Sequence, residues 1–252
     1  MFRLYKETAV LAFRRAVRAW PVAFSLIVYA VVMALAMMIA RGLGPLGGFA
    51  LGFAAAACVA SYLHLLGQAV QGHKVSLVDL RTGFRVLFWD VISVMFALWI
   101  IGFGVQVLVR GAGDNGPAVA AMAGLAMAFF LNPVPELIYL GQVRSFRLLL
   151  ESANFVLAHP VAWFLPNLIF AVVVMAPAGL LAVGQPGELL LVFSAVFSMG
   201  GVVSVFAALP RWSLPLMLIF LHYVMVFRGL LFQGLGVGNN SRRRAWEANT
   251  RR

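Results

Sequence analysis

Charge is what this chain lacks most. Asp, Glu, Lys and Arg make up 11% of its 252 residues, where a soluble domain carries about a quarter. That shortage excludes an ordinary water-soluble globule. Acids are scarcer than bases, 8 against 19, and the only lysines are Lys6 and Lys74. A single cysteine, Cys58, excludes a disulfide within the chain and a cysteine metal cluster. The four histidines are widely separated, with no metal-ligand spacing among them. No phosphate-binding loop and no Gly-x-Ser-Gly motif occurs. With no complete catalytic constellation, neither an enzymatic activity nor a cofactor or metal is expected.

What the chain has is apolar length. It is 63% hydrophobic, with a mean hydropathy of +0.97. Several uncharged runs approach or exceed the roughly 20 residues that cross a bilayer core. Spans are predicted over about 20–40, 48–69, 88–109, 118–140 and 161–183. A last apolar block, 189–232, is broken near Pro210-Arg211-Trp212. These runs leave no room for a separate soluble domain. The first follows a basic helix and leads into further spans, so the N-terminus is expected to be retained rather than cleaved as a signal peptide.

The basic residues set the orientation. Sixteen of the nineteen fall in four segments: the N-terminal helix, the 71–87 and 141–159 connections, and the C-terminal tail counted from Arg228 onward. Arg41, Arg110 and Arg211 lie one each in the opposite connections. This asymmetry predicts that the four basic segments are cytoplasmic. The Gly- and Pro-rich stretches 42–45, 111–117 and 184–187 then form tight external turns. The preference for arginine over lysine hints at a GC-rich bacterial genome, and with it a multi-pass protein of the bacterial inner membrane. The net charge of +11 reflects topology and attraction to anionic headgroups rather than nucleic-acid binding.

A basic two-faced helix followed by a membrane hairpin recurs three times. Phe13, Phe84 and Phe155 mark the three helices at intervals of 71 residues. The predicted units are 1–72, 73–143 and 144–234, followed by a basic cytoplasmic tail, 235–252. The fold class is therefore all-α and polytopic, with six spans and both ends inside. Seven spans is the alternative. The third unit carries an insertion of about one short hairpin, and 189–208 is predicted to dip into the membrane and return or to extend a kinked span six.

Each short helix carries an apolar stripe: Phe2, Tyr5, Ala9, Phe13, Ala16 and Trp20 in the first, Leu77, Leu80, Phe84 and Leu87 in the second, Phe146, Leu149, Ala153 and Val156 in the third. Arg14, Arg15, Arg18, Arg81, Arg85, Arg144 and Arg147 lie mostly off the stripes. With Arg242, Arg243 and Arg244 of the tail they are candidates to bind anionic lipid or a partner. The alternative is that these helices merely anchor each hairpin.

Ionisable groups at membrane depth are the other candidates. Glu136 follows two prolines in Asn132-Pro133-Val134-Pro135-Glu136, which break the helical hydrogen-bond ladder. Its carboxyl group could bind a cation, accept a proton or pair with an arginine. Alternatively it lies near the cytoplasmic end of its span, capping or pairing with an interfacial arginine. His64 and His222 could reach it or could simply bridge helices. Asn167 follows Pro166, a second broken helix, and paired broken helices point to a midplane binding site in transporters. Asn132, Glu136, Asn167, His64 and His222 thus form the candidate substrate set.

Two resemblances add to this. Val226-Phe227-Arg228-Gly229-Leu230-Leu231-Phe232 resembles part of the first motif of the CAAX-protease-like membrane family. That family has adjacent glutamates where this chain has Tyr223 and Val224, so the resemblance implies no proteolysis. The approach Phe155-Val156-Leu157-Ala158-His159-Pro160, together with a late span from Leu214-Pro215 to Phe227-Arg228, resembles the six-span YciC-like group and the membrane domain attached to some glycerophosphodiester phosphodiesterases. The resemblance implies a polytopic bacterial membrane protein and carries no catalytic motif. Three functions follow in order of expectation. The first is a non-catalytic scaffold or subunit, with lipids and other membrane proteins as partners, helped by small-residue stretches such as Gly47-Gly48 with Gly52. The second is a transporter or lipid-handling protein, and the third an intramembrane enzyme.

Overall fold

An apolar segment in a bilayer must satisfy its backbone N–H and C=O groups internally, and a helix does so. The computed structural model describes residues 2–141, 146–175 and 214–250, with side chains in the last stretch as far as Gly236. All regular structure among the described residues is helical. In chain order the helices are α1 (Phe2–Arg18), α2 (Pro21–Gly42), α3 (Gly47–Gln71), α4 (Leu77–Val86), α5 (Phe88–Gly111), α6 (Gly116–Phe130), α7 (Val134–Leu140), α8 (Phe146–Ala158), α9 (Pro160–Met175) and α10 (Leu214–Thr250). The predicted turn at 184–187, the predicted dip at 189–208, the break near Pro210 and Arg144 all lie outside the described residues.

Five segments are long and apolar enough to cross a membrane: Pro21–Gly42, Gly44–Gln71, Phe88–Gly111, Gly113–Leu140 and Pro215–Gly236. A sixth is reached only if the pair α8 and α9, bent by 93° at His159, is counted as one span. The chain is a multi-pass helical membrane protein with five to six candidate spans.

The amphipathic helices α1, α4 and α8 immediately precede α2, α5 and α9, and α8 meets α9 at 93°. The start of α4 is encoded locally. Ser76 caps α4, its Oγ accepting from the Val78 N–H at 3.0 Å while its own N–H donates to Asp79 Oδ2 at 2.7 Å. This reciprocal capping satisfies two otherwise orphaned donors.

The faces of α1 differ from the single stripe expected. Thr8, Ala12, Ala16 and Ala19 are buried against the bundle. Phe2, Phe13, Val17 and Trp20 are exposed on a second apolar face, and Arg14 and Arg18 are exposed on a third. The predicted stripe is therefore split: Tyr5, Ala9 and Ala16 pack on protein, while Phe2, Phe13 and Trp20 point outward. A helix lying between a bundle and a bilayer needs two apolar faces, and a stripe at helical spacing cannot distinguish them. The third short helix shifts similarly. Leu148, Ser152 and Val156 form its buried line, and Phe146 is exposed.

At the opposite end of the spans, two one-turn 3-10 helices, Gly44–Leu46 and Gly113–Asn115, join α2 to α3 and α5 to α6. Gly44 and Gly113 both sit at φ 55°, a conformation open to glycine and costly for other residues. Different sequences, Gly-Pro-Leu-Gly and Gly-Asp-Asn-Gly, thus build the same turn.

The core lies towards the end that carries α1, α4 and α8. Its members include Ala60, Leu65, Leu66 and Val70 of α3, Val91 of α5, Trp163 of α9, and Val226, Phe227 and Leu231 of α10. The last helix runs unbroken for 37 residues, about 55 Å at 1.5 Å per residue. It passes without a break through the predicted boundary between membrane domain and tail. The backbone of Arg242, Arg243 and Arg244 belongs to it, and their side chains lie outside the described residues.

Candidate functional site: an ion pair at a proline break

Pro133 and Pro135 cannot donate backbone hydrogen bonds, so the helix of the fourth span stops at Phe130 and restarts as α7. Val134 N–H turns back to the Leu131 carbonyl at 3.1 Å. The carbonyls exposed by the break are taken up by side chains. Ser152 Oγ of α8 donates to the Phe130 carbonyl at 2.6 Å. Arg228 Nη2 of α10 donates to the Asn132 carbonyl at 2.8 Å.

The same guanidinium closes on Glu136. Arg228 Nε donates to Oε1 at 2.7 Å and Nη2 to Oε2 at 3.1 Å. Glu136 is 0% exposed and the Arg228 side chain 12%. The planar fork of arginine matches a carboxylate in this two-pronged way. Arg228 also lies 5.1 Å from the centre of the Trp163 ring, within cation–π range. Trp163 Nε1 in turn donates to Asn132 Oδ1 at 2.8 Å. One guanidinium thereby ties α10 to the break between α6 and α7 and to the face of an α9 tryptophan.

The second break expected, at Pro166, does not occur, because α9 runs through that residue and the carbonyl it leaves free is satisfied from outside. Pro166 lacks the N–H that would reach the Ala162 carbonyl, and Tyr5 Oη of α1 donates to that carbonyl at 3.1 Å. Burial raises the Tyr5 pKa above its ordinary value. Asn167 Nδ2 donates to the Trp163 carbonyl at 2.7 Å, within its own helix.

Of the predicted substrate set, the structure brings Asn132, Glu136 and Asn167 together around Trp163. It leaves the histidines apart. His222 Nε2 lies 3.3 Å from the Ala16 carbonyl of α1, so His222 bridges helices instead of meeting Glu136. His64 lies half-buried in α3, and both Glu136 oxygens are engaged by Arg228. Glu136 does pair with an arginine, and the partner is Arg228 of the last span. Tyr62 and Tyr139 add two buried hydroxyls that have no hydrogen-bond partner among the described residues. Arg81, Arg85 and Arg147 are exposed on α4 and α8. Arg14, Arg15 and Arg18 surround a pocket at the end of α3.

Sequence reading missed Arg228 as a site residue, because the charge count placed it with the C-terminal tail. A signal was present. Arg228 is the one charged residue in Pro215–Gly236, and Glu136 is the one charged residue in the 118–140 run. Two lone opposite charges in separate apolar runs are most cheaply buried together. Trp163, Ser152 and Tyr5 carried no comparable signal.

No family model, curated protein or solved structure matches this chain.

Proposed function

We propose that this protein is a non-catalytic scaffold or subunit of a complex in the bacterial inner membrane. In this reading three hairpin units span the bilayer six times, with both ends and the basic helices on the cytoplasmic side. The basic layer contacts anionic lipid and a partner protein docks on the bundle. The observation that carries the reading is the closure of the Glu136–Arg228 pair. The carboxylate that could have held a passenger is fully buried and spends both oxygens on an internal arginine. Its neighbours Asn132 and Asn167 are likewise spent on helix contacts. A buried polar cluster satisfied in this way fixes the arrangement of helices and offers a solute little to bind.

Gentle purification from native membranes followed by mass spectrometry tests the proposal. A stoichiometric protein partner is the expected result, and recovery of the chain alone under several mild detergents counts against it.

Lipid handling is a second reading, supported by one feature. A groove of about 580 Å³ between α6 and α9 is lined by apolar side chains, including Ala126, Phe129, Phe164 and Leu168. Filling it by Ala126→Trp should abolish lipid handling and leave partner binding intact.

A further inference from the structure

A second polar feature lies outside the ion-pair site. The basic face of α1 meets the end of α3 around a pocket of about 350 Å³. Arg14, Arg15 and Arg18 line it from α1, and Gln71, Gly72 and His73 from the other side. Its lining contains no carboxylate. The nearest acid on α1, Glu7, is paired with Arg3 at 2.8 Å. The carbonyls at the end of α3 are partly occupied too, since the Gly72 and His73 N–H groups bond back to Ala69 and Gln68. Three arginines therefore line one concave site that has no carboxylate in its lining. Like charges lining one pocket repel one another, and an anion in the pocket relieves that cost.

The surroundings indicate what kind of anion. Phe13, Val17 and Trp20 stand exposed on the adjacent face of the same helix. Trp20 packs edge-on against Phe24 at the start of the first span, with ring centroids 5.4 Å apart. A helix with an outward apolar face beside a basic face lies at a membrane surface, and tryptophan favours that level.

We propose that this pocket is a binding site for the phosphate of an anionic phospholipid headgroup. The assignment rests on the reading that α1 lies at the headgroup layer, and it narrows that reading from a diffuse basic surface to one site.

The test uses full-length protein in a mild detergent, offered an equimolar mixture of phosphatidylglycerol and phosphatidylcholine and observed by native mass spectrometry. Wild type should retain one phosphatidylglycerol selectively. The triple variant Arg14→Gln, Arg15→Gln, Arg18→Gln should lose that selectivity by on the order of a hundredfold, as expected for three basic side chains at an anionic surface. Glutamine keeps part of each apolar stem, and an unchanged elution profile will show that the fold survives. Arg110→Gln, an exposed arginine in the last turn of α5, should behave as wild type, and Arg81→Gln, an exposed arginine on α4, should weaken selectivity by less than any single pocket substitution. If Arg81→Gln weakens selectivity as much as a single pocket substitution does, the site is overturned and the diffuse basic surface stands. If wild type shows no preference for the anionic lipid, both fail. Displacement of the lipid by millimolar inorganic phosphate would overturn the lipid assignment in favour of a soluble phosphate ligand. Recovery of an acidic protein on the pocket in place of lipid would overturn it as well.

Discussion

In the first span Val22, Ala23, Ser25 and Tyr29 are buried, yet a few turns further along Leu35, Met38 and Ile39 stand exposed. The third span repeats the contrast, with Val91, Val94 and Ala97 buried but Trp99, Phe103 and Leu108 exposed. In α3 the order is reversed along the chain because the helix runs the other way. Phe49 and Phe53 are exposed, and the buried residues gather from Ala56 to Val70. All three spans therefore pack at the end next to α1, α4 and α8 and present bare apolar surface at the other.

Polar bonding follows the same division. Each short helix is tied to the spans by a side chain bonded to a backbone carbonyl: Tyr5 to Ala162 for α1, Ser61 to Leu80 for α4, and Ser152 to Phe130 for α8. Tyr29 Oη donates to Ser61 Oγ at 2.8 Å and extends the second of these ties into α2. The ion pair belongs to this end too. Lipid tails are as apolar as leucine, so the bare end gains nothing from burial as such. Stability has to come from polar bonds and close packing, and both are concentrated where the short helices lie.

The largest test of this contrast removes one half of the ion pair. Glu136→Leu or Arg228→Leu leaves an uncompensated charge in a dry core, which costs roughly 3–5 kcal/mol. Neither single variant should yield folded protein by size-exclusion chromatography in detergent. The double variant Glu136→Met, Arg228→Met removes both charges and should recover most of the folded yield, because a buried pair can often be replaced by apolar side chains of similar volume. A scaffold should still capture its partner after this replacement. A transporter that uses the Glu136 carboxylate should be dead even when folded, so the double variant separates the two readings.

Next in size is Gly229→Ala. A methyl group there would lie 2.6 Å from Tyr139 Oη and 2.7 Å from Val70 Cγ2. Overpacking of this kind typically costs about 1–3 kcal/mol. The variant should fold with a lowered midpoint of thermal unfolding. An unchanged midpoint would mean that α10 does not sit against α3 and α7 as closely as described.

Helices, spans and the break at Pro133 were legible in the sequence because apolar length and missing N–H donors act locally, whereas the second break expected at Pro166 is absent, since α9 runs through it. The polar residues beside the prolines, Asn132, Glu136 and Asn167, were legible for the same reason. What satisfies the freed carbonyls was hidden. Tyr5 lies 157 residues from Ala162, and Arg228 lies 92 residues from Glu136. No periodicity connects such positions, and lone residues of opposite charge are the single clue to the second pair. The faces of α1 were blurred because lipid and protein interior select the same apolar side chains. The contrast between the two ends was invisible for a like reason, since Leu35 and Leu66 read alike until the neighbouring helices are in place.

Smaller effects should map that contrast residue by residue. Tyr5→Phe, Ser61→Ala and Ser152→Ala each remove one side-chain hydrogen bond at the packed end. Polar contacts between membrane helices average about 0.6 kcal/mol and reach about 1.7, and the midpoint of unfolding should fall accordingly in each case. Leu35→Ala and Leu108→Ala, at the bare end, should change stability by less than about 0.5 kcal/mol in isolated protein, as exposed substitutions usually do. The informative comparison is the same pair of leucine variants within the purified native complex. If a partner covers the bare end, Leu35→Ala or Leu108→Ala should weaken its retention while leaving the isolated chain as stable as before. If retention is unchanged by either, lipid is what covers that end, and the partner surface must be sought among α1, α4 and α8.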